Sequence, residues 1–375
     1  MLEIGAGLST EARARPAAIE AAMAAREPLR DRANLALVFS STHHDPAEVV
    51  DAVREAASPG ALLGCVGESV VGRDREIEDG PAVAVWLARF PEPVEPYRLG
   101  FDGDGFVGMP EGEPGETHIV IADPFSFPAD AFLDELAERR PGTTVIGGMA
   151  SGVFPPGSTR LFFGDEVVAS GAVGVRLPGG VPVRVVVSQG CRPVGPAFTV
   201  TRAEGNLIEE LGGRPPLDRL RQIYAAADER DRRLLTGGLH LGRVIDEHSE
   251  TSERGDFLIR GVLGADRESG AMAVGDEVGV GETVRFHVRD ADSAADDLRG
   301  SLAGLERPRG ALLFTCNGRG SRLFAAPDHD ASLVAKELEE PPVAGFFAAG
   351  ELGPVGPRSF LHGFTASLAL FYDAG

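Results

Sequence analysis

Apolar and polar positions along the chain form a phrase that returns three times. An apolar strand leads through a short amphipathic helix to a second apolar strand broken by glycine, and a third strand closes the phrase. The copies read ALVFSS, ALLGCVGESVVG and PAVAVWLA between 36 and 88; HIVIAD, TVIGGMASGVF and GAVGVRL between 118 and 177; and ALLFTCNGRG, PVAGFFAAGELGPVG and TASLALF between 311 and 371. From the first strand to the key glycine, Leu35 to Gly64, Ile119 to Gly147 and Ala311 to Gly345, the spacings are 29, 28 and 34 residues. Such self-similarity points to one supersecondary unit reused. A partial fourth copy is expected at 257 to 288, where FLIRGVLG precedes GDEVGVGETVRFHV much as VIGGMASG precedes GDEVVASGAVGVRL at 164 to 177. Four units predict two pseudo-equivalent halves, the first ending near residue 178.

Helical spacing predicts crossover helices over 47 to 57 behind Pro46, over 129 to 139 behind Pro128, and over 331 to 339 behind Asp330. A longer helical stretch runs from Leu217 to Leu235, and the first 30 residues, rich in Ala, Glu and Arg, read as one amphipathic helix. Pro and Gly clusters at 91 to 115 and 178 to 182 mark loops. Strands this rich in Val, Ala, Leu and Phe are expected to be covered on both faces. The predicted fold is therefore α/β, with mixed β-sheets and outer helices built from repeated strand-helix-strand-strand units, a stacked αββα arrangement being one form of it. The expected division is a helical segment over 1–33, one domain over 34–200 and a second over 201–375, with 178 as the alternative boundary between repeat halves.

Composition narrows the function classes. With 36 basic and 57 acidic residues, the net charge of −21 argues against nucleic acid and anionic membrane surfaces as partners. No apolar run approaches the ~20 residues of a membrane span and no secretory segment is evident, so a cytoplasmic location is expected. Cys65, Cys191 and Cys316 are scattered and odd in number, which fits reduced thiols. No cofactor is expected: the phosphate-loop and dinucleotide-binding glycine patterns are absent. His43 and His44 are an adjacent pair on a loop, a poor start for a metal or haem site, and no metal is expected there.

The candidate chemistry gathers at the glycine turns. Gly64, Cys65 and Glu68 in the first copy, Gly147 and Ser151 in the second, and Gly350 and Glu351 in the last stand where a ligand could approach backbone amides. Tight strand packing is the competing explanation for the same glycines. Glu68 and Glu351 each follow a glycine and read as matching carboxylates for a ligand's ammonium or guanidinium group. Cys316 ends a strand beside Asn317 and Arg319, a setting that can activate a thiol. With His362 as its base, Cys316 defines an alternative reading as a cysteine-dependent hydrolase or transferase.

Taken together, LLGCVGESVVG with REIEDGPAVAVWLA, VSQGCRPVGPAFTVTRAEGNLIEELGG, GDFLIRGVLGAD, TVRFHVRDA and the ending from LLFTCNGRG to FLHGFTASLALF resemble the FIST family of signal-transduction proteins, over residues 34 to 372. The resemblance implies an N-terminal and a C-terminal FIST region. It also implies a sensor that binds a small ligand, with amino acids or related metabolites proposed for the family, rather than an enzyme. Matching motif positions include Cys65, Glu68, Arg260, Cys316, Asn317, Arg319, Glu351 and His362. The resemblance assigns these positions no individual roles; on physical grounds Arg319 or Arg260 could clamp a carboxylate while Glu351 and glycine-turn carbonyls receive an ammonium group. A signalling protein partner is expected, since the FIST-like regions occupy the chain, and a protein-recruitment scaffold is a further alternative.

Overall fold

The structure, a computed structural model, describes residues 2–103, 105–152, 155–245 and 255–374. The last two residues of TVIGGMASGVF lie outside it. The chain packs into two compact units, one formed by Met1–Ser188 with Leu298–Gly375 and the other by Gln189–Asp297. Packing therefore follows a different line from the sequence division at 200 or 178, because the second unit stands between Val183–Gln189, the outer strand of the third sheet, and Gly310–Cys316, where the third copy of the phrase begins.

The first unit holds all three full copies. Each begins with two parallel strands joined by a helix: Leu35–Ser41, Pro46–Ala57 and Ala61–Gly67; Thr117–Ala122, Ala129–Arg139 and Thr144–Met149; Gly310–Cys316, His329–Glu337 and Val343–Ala348. A hairpin follows, and then a return strand, Val83–Arg89, Ala172–Arg176 or Thr365–Phe371, pairs antiparallel with the first. Outside each return strand lies one further strand: Glu3–Ser9, Glu95–Phe101 or Val183–Gln189.

The hairpins do not stay with their own copies. The hairpin of the second copy pairs with the first copy, setting Phe162 opposite Gly64. That of the third pairs with the second, Leu352 opposite Gly147, and that of the first pairs with the third, Val71 opposite Gly345. The three copies thus clasp one another in a closed cycle of equivalent contacts.

This cycle explains the apolar strands. Each sheet turns one face to a shared core that holds Phe39, Trp86, Ile121, Val173, Phe314 and Phe346. Its other face is covered by its own helices, Ala-rich Ala14–Arg26 and Pro46–Ala57 on the first sheet, Ala129–Arg139 on the second and His329–Glu337 on the third. Burial on both faces removes any need for alternation, and Leu35–Ser41 is buried at every position. The fold is α/β, with mixed sheets and outer helices.

Two local expectations change. The N-terminal segment opens with a strand, Glu3–Ser9, before its helix. Gly5 and Gly7 let that strand press on the helix, since a Cβ at either would come within 2.0 or 2.1 Å of the Ala25 or Ala21 carbonyl oxygen. The stretch from Leu217 to Leu235 is two helices, Pro216–Ala226 and Glu229–Gly237, because the Asp228 carboxylate caps the second by accepting the Asp231 amide at 2.8 Å.

The second unit is a closed six-stranded barrel, in the order Cys191–Glu204, Leu207–Leu211, Met272–Val274, Phe257–Ala265, Leu239–Val244 and Thr283–Arg289. The stretch expected to be a fourth copy forms three of these strands. Val200, Ile208, Met272, Val284 and Phe286 belong to its core. Asp290 pairs with Arg192 and Arg230.

Candidate functional site

The glycine turns of the three copies meet. Phe347 N–H donates to the Ser69 carbonyl at 3.0 Å, Ala349 N–H to the Met149 carbonyl at 2.9 Å, and Met149 N–H to the Gly350 carbonyl at 2.8 Å. The Glu68 amide donates to Ser151 Oγ at 2.8 Å, and Ser151 in turn donates to the Phe347 carbonyl. Gly64, Cys65, Glu68, Gly147, Ser151, Asn317, Gly350 and Glu351 are therefore brought into one region of the first unit. Arg260 lies in the other unit, on a barrel strand, where its Nε donates to Asp276 at 3.0 Å.

Packing claims several of these positions. A Cβ at Gly64, Gly147 or Gly345 would come within 1.8, 1.8 or 1.7 Å of the carbonyl oxygen of Val38, Val120 or Leu313 on the adjacent parallel strand. The space left by those glycines is filled by the neighbouring strand rather than open to a ligand. Gly350 packs against Leu361 and Met149. Cys65 is fully buried, and desolvation pushes its thiol well above the usual range.

Glu68 and Glu351 are not equivalent. Glu351 pairs with Gly148, and the positions matching it in the other hairpins are Leu161 opposite Cys65 and Val70 opposite Phe346. Glu351 thus places a carboxyl group where the other copies bury an aliphatic side chain. Its Oε2 accepts from Thr365 N and Oγ1 at 3.1 and 2.8 Å, while Oε1 takes no nitrogen or oxygen donor, only the weakly donating Cys316 thiol standing beside the carboxyl group. Burial drives its pKa up to about 8, against the opposing pull of the Thr365 bonds. Glu68, half-exposed, instead pairs with Arg322, which also donates to the Asn317 carbonyl at 3.0 Å.

Arg319 is the centre of the cluster. Only 1% exposed, it forms a bidentate pair with Asp330, Nε to Oδ2 at 2.6 Å and Nη2 to Oδ1 at 2.8 Å, and its guanidinium stands 5.2 Å from the Phe324 ring centre. Thr315 Oγ1 and His329 Nδ1 complete the Asp330 carboxylate at 2.8 and 3.0 Å. Burial alone would raise Asp330, but the guanidinium overrides it and holds the group well below the carboxylate range. Arg319 Nη1 has no partner, and neither has Asn317 Oδ1.

The sequence reading missed Glu76 and Asp330. Glu76 rides on the first copy's hairpin into the third copy, where its Oε1 accepts the Ala331 amide at 2.9 Å and its Oε2 has no partner. Burial first, and then the charge of Asp330, raise it to about 8. Glu76 stands within the quoted REIEDG motif, but nothing local announces a partner more than 250 residues away.

Cys316 and His362 do not have the character of a nucleophile and its base. Burial first, and then the neighbouring Glu351, raise the Cys316 thiol far above its ordinary value, the reverse of thiolate activation. His362 is buried and its Nε2 donates to the Gly353 carbonyl at 2.9 Å. Among the described residues, no group of three or more His, Cys, Asp or Glu side chains is arranged to hold a metal ion, and no helix is long and apolar enough to cross a membrane.

Comparison with known proteins gives a consistent result over the whole chain. The family model for the FIST N domain matches residues 34–214, and that for the FIST C domain matches residues 216–354. An uncharacterised protein of Mycobacterium tuberculosis is 48% identical over 385 residues, covering 99% of this chain and 100% of its own. An uncharacterised protein of Mycobacterium bovis is 46% identical over 389 residues, covering 99% of each.

Proposed function

Since the chain belongs to the FIST family, we propose that it is a small-ligand sensor module of signal transduction, with its site around Arg319 where the glycine turns of the three copies meet. The carrying observation is a set of buried polar atoms without nitrogen or oxygen partners: Arg319 Nη1, Asn317 Oδ1, Glu351 Oε1 and Glu76 Oε2. Each unsatisfied buried group costs about 1–3 kcal/mol, so a group that completes them binds with that much to gain. The donor on Arg319 suits a carboxylate or carbonyl oxygen. The free oxygens of Glu351 and Asn317 suit an ammonium group, which is the pattern of an amino acid or related metabolite.

Arg319, Glu76 and Glu351 are closed from solvent, so a ligand enters only as the surrounding loops and hairpins shift. Binding is thereby tied to a conformational change, which requires different affinities for the closed and open arrangements. That change is what a signalling partner would read.

A thermal-shift screen of amino acids and related metabolites tests this. The expected result is a stabilising ligand whose effect is lost in Asn317→Ala and Glu351→Gln, and weakened in Arg319→Lys, which keeps the charge but not the planar fork. A broad screen without a hit, or a hit unchanged in all three variants, overturns the reading.

A further inference from the structure

Two of the exchanged hairpins each carry a buried carboxyl group into a neighbouring copy. Three carboxyl groups, Asp330, Glu76 and Glu351, are buried within electrostatic reach of Arg319, whose guanidinium is the only one buried among the described residues, and Asp330 already occupies two of its three nitrogens. One cation cannot compensate three carboxylates in a buried, low-dielectric interior. Glu76 and Glu351 are the two left over. Both stand on hairpins that clasp one copy of the phrase to the next: Glu76 on Arg75–Ile77, which joins the first copy to the third, and Glu351 on Glu351–Val355, which joins the third to the second.

We propose that the first unit senses pH through these clasps: Glu76 and Glu351 hold protons while the clasps are closed, and losing them loosens the grip between copies. The inference needs no small ligand, although both groups also line the proposed ligand site.

The surroundings of each group set the sign. Glu76 faces Asp330 and the Ala331 amide on the helix His329–Glu337, Glu78 on its own segment, and Arg319 from the loop; its amide donates to Asp328 Oδ1 at 2.6 Å. On ionising, it meets two carboxylates and a guanidinium already engaged. Glu351 faces the Cys316 thiol, Thr365 and, further off, Arg319, and lies opposite His362 in its hairpin. On ionising, it leaves a charge in a place where Leu161 and Val70 serve the other copies. Burial supports the same direction, since both groups keep their protons to about pH 8. The proton leaves to bulk water, and no other bond changes.

Hydrogen exchange of the full chain at pH 6 and pH 8.5, corrected for the intrinsic rate, tests the inference. The expected result is protection lost at the higher pH in the hairpin segments 70–77 and 351–362, while Leu35–Ser41 keeps its protection. In Glu76→Gln the first segment stays protected, and in Glu351→Gln the second does. Glu351→Leu, which restores the aliphatic residue of the other copies, serves should the amide fold poorly. Equal protection of the wild type at both pH values, or the same loss in the Gln and Leu variants, overturns it.

Discussion

Gly64 and Val38 stand opposite each other on parallel strands, so close that a Cβ on the glycine would lie 1.8 Å from the Val38 carbonyl oxygen. Gly147 with Val120 and Gly345 with Leu313 repeat the contact at 1.8 and 1.7 Å. No side chain can yield there, because the obstacle is backbone. Each Gly→Ala variant is expected to lose stability at or beyond the upper end of the ~1–3 kcal/mol typical of overpacked cores. Gly179→Ala, at an exposed site with nothing within 4 Å, serves as control and stays within ~0.5 kcal/mol of wild type. Trp86, the only tryptophan, is wholly buried in the shared core and reports unfolding of this unit in urea. A Gly64→Ala variant as benign as the control would mean that the glycine does not serve packing.

Breaking the Arg319–Asp330 pair from one side strands a charge in the core. Arg319→Met and Asp330→Leu are each expected to cost about 3–5 kcal/mol, while the double variant recovers a large part of the loss. Additive losses in the double variant, again by Trp86 fluorescence, would show that the pair is not the unit that matters.

The sequence made the building unit legible because each strand is buried on both faces and its apolar run is unbroken, as in Leu35–Ser41 and Gly310–Cys316. It also pointed to Arg319, Cys316, Asn317 and Glu351, which do share a region. What it could not reveal is which hairpin pairs with which strand. Val71 sits opposite Gly345, and no local pattern encodes a register across so long a separation. For the same reason, matching Glu68 to Glu351 by their preceding glycines misled, since strand register aligns Glu351 with Leu161 and Val70. The barrel was hidden because an insertion leaves the strands on either side looking continuous in type, and its GDEVGVGETVRFHV copies the wording of a hairpin and return strand without their pairing.

The thiols give a chemical test of burial in both units. Cys65, Cys191 and Cys316 are all buried, and desolvation holds Cys65 and Cys316 in the unreactive thiol form. With iodoacetamide at pH 7, below the range in which the clasps loosen, mass spectrometry is expected to find all three unmodified in the native protein and all three modified in urea. Rapid, selective labelling of Cys316 would revive the nucleophile reading.

Glu68 and Arg322 form an ion pair whose side chains are 33% and 55% exposed. Solvent screening leaves such a pair little net value, and Glu68→Ala is expected to shift stability by less than about 1 kcal/mol. A loss several times larger would give Glu68 a structural weight that its contacts do not suggest.

Glu76, Glu351 and His118 carry the largest shifts of the first unit between pH 4 and 8, and His44, lowered by burial and by His43, acts in the same sense as His118. Glu76 and Glu351 rise to about 8, chiefly through burial, so each favours the fold below the ordinary value of 4.5 and loses that contribution as pH climbs from 4.5 to about 8. His118 is lowered to about 4, chiefly by burial and against the pull of Glu116, so it favours the fold above 6.5 and loses that contribution as pH falls toward 4. Between 4.5 and 6.5 the histidine partly offsets the two carboxyl groups. Above 6.5 only the carboxyl groups still change, and the decline steepens until about pH 8. Thermal unfolding followed by Trp86 is therefore expected to show a midpoint that falls from pH 6.5 to 8. In Glu76→Gln/Glu351→Gln that fall disappears, and the optimum moves to the neutral side of 6.5, where His118 is neutral in both the folded and the unfolded chain. A wild-type midpoint that rises across the same interval would contradict the buried, protonated state of both carboxyl groups.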